Sequence, residues 1–216
     1  DLVRSRGLGD VYKRQMDVMV EEATEDITKM AAVAPSEKTY FEVSAWEHAK
    51  RRIPWLLVLM FSSIITGSII TRYENAFAAI PLLVSFIPML MDTGGNCGSQ
   101  SSTLIIRGIA LNQVTFHDFF RVIWKEFRVS LIVGVVLAVA NGLRIYLTYQ
   151  QAGMAIVIAL SLVATVISAK LLGCILPMFA KKIGLDPALM ASPLITTIVD
   201  ASSIMIYFFI ATKVFR

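Results

Sequence analysis

The sequence predicts an all-α integral membrane protein with five transmembrane helices per chain. Three observations predict it. Hydrophobic residues make up 56% of the 216-residue chain, mean hydropathy is +0.68 and only 17% of residues are charged, a balance foreign to ordinary soluble domains. Uncharged or nearly uncharged runs occupy residues 53–71, 76–106, 129–149, 153–179 and 187–212, against the roughly 20 residues that a spanning helix needs. These runs do not alternate apolar and polar residues in segments of about 10, as the strands of a membrane barrel do.

Three regions follow along the chain. Residues 1–15 carry four bases and two acids with no apolar h-region and no helix or strand pattern, so a non-native leader or sequence-assembly scar is expected there. Residues 16–48 hold eight acids against two lysines, an acidic cytoplasmic neck or linking helix. Residues 49–216 hold fourteen bases and six acids and form the five-helix membrane domain. That basic excess suits lipid headgroups and gives no reason to invoke nucleic acid.

Lys and Arg bias sets the orientation in the cell (plasma or inner) membrane. With the neck cytoplasmic, inner segments receive Lys50, Arg51, Arg52, Arg107, Arg121, Lys125, Arg128, Lys181 and Lys182, and outer segments only Arg72, Arg144, Lys213 and Arg216. The N-terminus is therefore expected inside and, after five spans, the C-terminus outside. Lys170 lies toward the inner end of the fourth run, where it is expected to snorkel to the interface in preference to pairing with a buried acid.

Local signals shape individual spans. The second run contains Pro81, Pro88, Gly94 and Gly95, so it should be kinked or interrupted, which is tolerated at membrane depth only against protein or a wet cavity. Thr115-Phe116-His117-Asp118 reads as a capping box ahead of the third span, and Asp186-Pro187 as an N-cap and first helical residue of the fifth. Cys97 and Cys174 both sit in apolar runs and read as reduced packing residues. His48 and His117 lie near interfaces, where a solvated role is expected.

Asp200 carries the functional argument, because it is the only acidic or basic side chain in residues 187–212. A carboxylate at that depth costs about 2.5 kcal/mol or more, so it should face protein, water or a cation. Two polar stripes appear at helical spacing. Asp92, Asn96, Ser99 and Thr103 follow i, i+4, i+7, i+11 with Gln100 beside them, while Ser192, Thr196, Asp200, Ser203 and Tyr207 follow i, i+4, i+8, i+11, i+15. Packing explains one such stripe; two, each with a carboxylate, point to a shared polar pathway.

The available donors are all oxygens, which suits a hard cation. Magnesium sheds water reluctantly, so a few carboxylates around retained waters fit it best. One Asp per chain is a thin site for a divalent ion, and a homodimer with a central pore would supply two.

The block Asp92-Thr93-Gly94-Gly95-Asn96-Cys97-Gly98-Ser99-Gln100, followed by Ser101-Ser102-Thr103-Leu104, resembles the second-span signature GGNxGxQ of the MgtE-type magnesium transporter and channel family. Asp186-Pro187-Ala188-Leu189 with Pro193-Leu194 and Asp200 resembles that family's fifth span, and residues 21–27 the end of its cytoplasmic region. The resemblance covers residues 17–216. It implies a homodimer whose pore is made by spans two and five, with paired Asp200 carboxylates holding hydrated Mg2+ and the Thr196 carbonyl nearby. It further implies that Asn96 lines the pore and that Glu126 assists at the inner side. Ser192 departs from an Asn frequent in the family, and the family's N-terminal helical and CBS domains are absent from this sequence. Mg2+ is both the transported ion and the ligand in this reading, and the chain is not expected to be an enzyme.

Two rivals make different demands. A proton-coupled cation carrier would use Asp200 as a relay. An intramembrane aspartyl protease would pair Asp92, in its Asp-Thr-Gly triplet, with Asp200, but the residues preceding them, Met91 and Val199, do not match that class.

Overall fold

Helical hydrogen bonding satisfies every backbone group within a segment, the requirement a bilayer imposes, and the chain answers with six α-helices among the described residues. The computed structural model describes residues 2–31, 33–34, 40–73, 81–190 and 192–215, with side chains from Val11 onward except that of Ser192. The helices are α1 (Leu2–Met30), α2 (Ala45–Arg72), α3 (Ile87–Ala110), α4 (Phe119–Tyr149), α5 (Ala152–Lys182) and α6 (Ser192–Val214). Short 3-10 turns at Pro81–Phe86, Phe116–Asp118 and Pro187–Met190 precede α3, α4 and α6.

Among the described residues four segments are long and apolar enough to cross a membrane: Ala45–Arg72, Phe116–Tyr149, Ala152–Lys182 and Pro187–Val214. The second expected span is α3. Its 24 residues reach about 36 Å at the usual helical rise, but its Gly, Ser, Thr, Asn and Asp content leaves it without a stretch as apolar as the other four have. The second run is not one uniform α-helix: the 3-10 turn Pro81–Phe86 leads directly into α3 at Ile87, and Pro88 lies at the first positions of the helix. Gly94 and Gly95 do not break it.

The bundle is organised around α5, which is apolar on all sides and buried along half its length, as such a helix must be. α3 and α6 pack on α5 and on each other, α4 covers another side of α5, and α2 packs on α6 at the margin. Apolar contacts fall into three groups along the axis. One end gathers Phe86, Leu90, Ile158, Ile204, Tyr207 and Phe208. The middle holds Cys97, Val166, Ala169, Ile195 and Val199, and the other end Ile105, Ile109, Cys174 and Met178. Both cysteines are free and buried, in the packing role expected of them.

Three expectations are corrected. Residues 1–15 were read as lacking helical form, yet α1 runs from Leu2 without interruption; the segment lacks apolar periodicity because the described side chains there are solvated rather than packed. Asp186 does not cap α6 directly. Its Oδ1 accepts the Ala188 amide at 2.9 Å and closes the Pro187–Met190 turn, and α6 begins at Ser192. Lys170 does not snorkel: it is 5% exposed, turned into the bundle, because a hydroxyl on α3 receives it. The Thr115 capping box forms as read, with the Thr115 amide and hydroxyl both donating to Asp118 Oδ2, at 3.1 and 2.8 Å.

Candidate functional site

The GGNxG block owes its geometry to what its glycines lack. A Cβ on Gly94 would lie 2.9 Å from Ser203 Oγ, Thr165 Cγ2 and Val199 Cγ1, and one on Gly98 would lie 2.8 Å from Ile195 Cγ2. A Cβ on Gly95 would stand 3.0 Å from Thr196 Cγ2. The first two are distances real Cβ atoms do not hold and the third is tighter than most, so the glycines are what lets α6 and α5 seat against α3. As α3 advances from residue 94 to 98 its partners on α6 step back from Ser203 to Ile195, so the two helices run antiparallel.

That seating turns the polar residues outward. Leu90, Gly94, Cys97, Gly98, Ser101, Ser102 and Ile105 are buried, whereas Asp92, Asn96, Gln100 and Thr103 are exposed and Ser99 is half-buried. The α3 stripe is therefore a continuous polar face on the outside of a single chain. Thr196 and Asp200 on α6 are half-buried beside it. The structure sets Gly95 of α3 against Thr196 of α6, with Asp92 and Asn96 on the exposed side of the same stretch of α3. The Thr196 hydroxyl donates its proton to the Pro193 carbonyl at 2.9 Å, which leaves that oxygen able only to accept.

Other expected residues lie elsewhere. Ser203 is 1% exposed, wedged beside Gly94 in the α3–α6 contact rather than on the open face. Tyr207 is likewise buried and donates to the Leu83 carbonyl at 2.8 Å. Ser192 lies outside the residues whose side chains are described. Glu126 stands away from the Asp92–Asp200 level, where its Oε2 accepts from Ser101 Oγ at 2.7 Å. Among the described residues no three His, Cys, Asp or Glu side chains converge on a common point.

Sequence reasoning missed two linkages. Lys170 Nζ donates to Ser101 Oγ at 3.3 Å, which extends the Glu126 contact into a chain across three helices. A base and an acid in neighbouring apolar spans were the available signal. At the end of α1, Lys29 Nζ lies 2.7 Å from Asp186 Oδ2 and 2.6 Å from Glu25 Oε1. Burial alone would raise the Asp186 carboxyl, but Lys29 and the Ala188 amide together hold it below its ordinary value. Asp186 and Glu25 hold Lys29 above its own. Asp26, crowded by burial and then by Asp186, is held above the usual carboxylate value.

A polar face of this composition on a helix seated by small residues is what the second-span signature requires, and the family comparison agrees. The family model for MgtE, a divalent cation transporter, matches residues 87–210, from the start of α3 almost to the end of α6. The chain belongs to the MgtE family. Similar proteins include the magnesium transporter MgtE of Bacillus subtilis, 38% identical over 91% of this chain, and that of Thermus thermophilus, 36% identical over 91%. The magnesium transporter MgtE of Enterococcus faecalis is 31% identical over 93%. The chain spans less than half the length of these relatives, 43–44% of each. With its apolar helices and its place in this family of transporters, the chain is a multi-pass membrane protein.

Proposed function

We propose that the chain is one half of a dimeric pore that moves hydrated Mg2+ across the cell membrane. In this reading α3 is a fifth spanning helix, the neck lies in the cytoplasm and the C-terminus outside. The observation that carries it is the outward polar face of α3, Asp92, Asn96, Gln100 and Thr103, lying beside the half-buried Asp200 and Thr196 of α6. Lipid offers such a face no hydrogen bonds. Water and a second copy of the same face do, and a twofold axis would set the two stripes opposite each other.

Within that pore two Asp200 carboxylates, assisted by the Thr196 carbonyls, hold the ion through its water shell, because dehydrating Mg2+ is costly and one carboxylate is too little charge. Asn96, Ser99, Thr103 and Asp92 line the path, and Glu126 lies at its inner end. Ser203, sealed behind Gly94, supports the wall rather than touching the ion. The Mg2+ named for the relatives enters as the transported substrate. Residues 16–48 form the cytoplasmic neck that leads into the pore.

The test is Mg2+ uptake into proteoliposomes followed with an entrapped Mg2+-sensitive dye. Asp200→Asn should reduce uptake at least tenfold, about 1.4 kcal/mol or more of lost ion stabilisation. Uptake that is unaffected by the change contradicts the pore, and uptake that follows an imposed proton gradient instead of the Mg2+ gradient favours a proton-coupled carrier.

A further inference from the structure

Lys170 is a basic side chain buried in the central helix of a membrane bundle, 5% exposed. Burial of an ammonium is tolerated only where hydrogen bonds and an opposing charge answer it. Here the answer comes from two other helices. Lys170 Nζ on α5 donates to Ser101 Oγ on α3 at 3.3 Å, and that hydroxyl donates to Glu126 Oε2 on α4 at 2.7 Å. The direction of the chain is set by chemistry: an ammonium has only hydrogens to give, an ionised carboxylate only lone pairs, and a serine hydroxyl supplies one of each.

The same contacts explain why the ammonium can reach. Ser101 follows Gly98 by one helical turn and Lys170 precedes Gly173 by one. A Cβ on Gly173 would stand 3.1 Å from the Gly98 carbonyl carbon, so at this level the α3 and α5 backbones are in direct contact. Ser101 is fully buried and Glu126 half-buried. The carboxylate is thus tied on one side and open on the other.

We propose that Lys170 is a positioning residue for ion release: through Ser101 it fixes the direction of the Glu126 carboxylate and offsets part of its charge. Glu126 then draws a divalent cation toward the inner end of the pathway without retaining it. Conduction requires binding strong enough to admit the ion and weak enough to let it leave. A carboxylate in apolar surroundings with no counter-charge fails the second condition. The inference rests on the pore reading above.

The experiment measures the initial rate of Mg2+ uptake into proteoliposomes against Mg2+ concentration. Lys170→Met should lower the half-saturating concentration about five-fold or more, the lower end of site-to-site coupling, and reduce the maximal rate. Ser101→Ala should shift it in the same direction, while Lys170→Arg, which keeps the charge, should stay within about two-fold of the parent. The double variant Lys170→Met/Glu126→Gln removes both charges and should return half-saturation to the parent value or above. A purely structural role would lower the amount of folded protein without moving half-saturation. If Lys170→Met does not fold, Ser101→Ala decides, since it deletes only the bridging hydroxyl and keeps both charged side chains. Uptake that is abolished by Asp200→Asn yet keeps its half-saturating concentration in both Lys170→Met and Ser101→Ala overturns the role of Lys170 alone. Uptake that survives Asp200→Asn overturns the pore reading and this inference with it.

Discussion

Adding one methyl group at Gly173 tests whether backbone contact between α3 and α5 holds the polar face in place. The new Cβ would lie 3.1 Å from the Gly98 carbonyl carbon and 3.2 Å from its Cα, and closer still to its carbonyl oxygen. All three are backbone atoms, so no side chain can rotate away and the helices must part. Overpacking costs about 1–3 kcal/mol, and backbone on both sides places this case at the upper end. The gain in helix propensity from Gly to Ala returns about 1 kcal/mol, leaving a net loss of about 1–2 kcal/mol. For a domain of this size each kcal/mol moves the melting temperature by about 2–4 °C, so Gly173→Ala should melt about 2–8 °C below the parent. Cys97 and Cys174 are buried and free, so a thiol-reactive fluorophore reports the opening of the core on heating. Gly67→Ala is the matched control, because a Cβ there meets nothing within 4 Å, and it should melt at or slightly above the parent temperature. A Gly173→Ala protein that melts with the Gly67→Ala control would refute the claim that the α3–α5 approach needs glycine.

Two further outcomes follow from named contacts. The Lys29–Asp186 bridge should tie the end of α1 to the turn before α6 between about pH 4 and about pH 10. Asp186, lowered, contributes above its unfolded value and loses that contribution as pH falls through its folded value; Lys29, raised, contributes below its unfolded value and loses it as pH rises through its folded one. Both side chains are a quarter to a third exposed, so the bridge is worth about 0.5–1 kcal/mol. Lys29→Met should speed hydrogen exchange in residues 20–31 about two- to five-fold at pH 7, and unchanged exchange would show that the contact does not hold α1. Tyr207→Phe leaves the Leu83 carbonyl without its donor and should cost about 1–3 kcal/mol, read as a lower melting temperature; full stability would mean that water replaces the phenol.

Helix content and the membrane class were legible because they depend on local composition: each apolar run became a helix. The change from a 3-10 turn to an α-helix at the start of α3 was equally local, written in Pro81 and Pro88. The direction of the α3 polar face was also legible, since Asp92, Asn96 and Thr103 share a face by spacing alone. The second stripe was only half right. Thr196 and Asp200 lie beside the open face, but Ser203 and Tyr207 turn inward. Period alone cannot separate an open face from a buried one when both carry small polar groups, and the partner helix decides. Lys170 was misread for a related reason. Snorkelling depends on the residue's own helix, whereas its actual partner, Ser101, lies on α3, 69 residues away in sequence. The Lys29–Asp186 bridge spans 157 residues, a separation at which no local pattern reports.

The account's central claim is that the cation site belongs to two chains. A structure of the protein in lipid nanodiscs with Mg2+ tests it most directly. The account predicts two Asp200 carboxylates facing each other across a twofold axis with one hydrated Mg2+ between them, and the Asp92–Thr103 faces of both α3 helices lining the same water-filled path. Asp200 side chains that open into separate cavities, or α3 polar faces turned away from the axis, would contradict it.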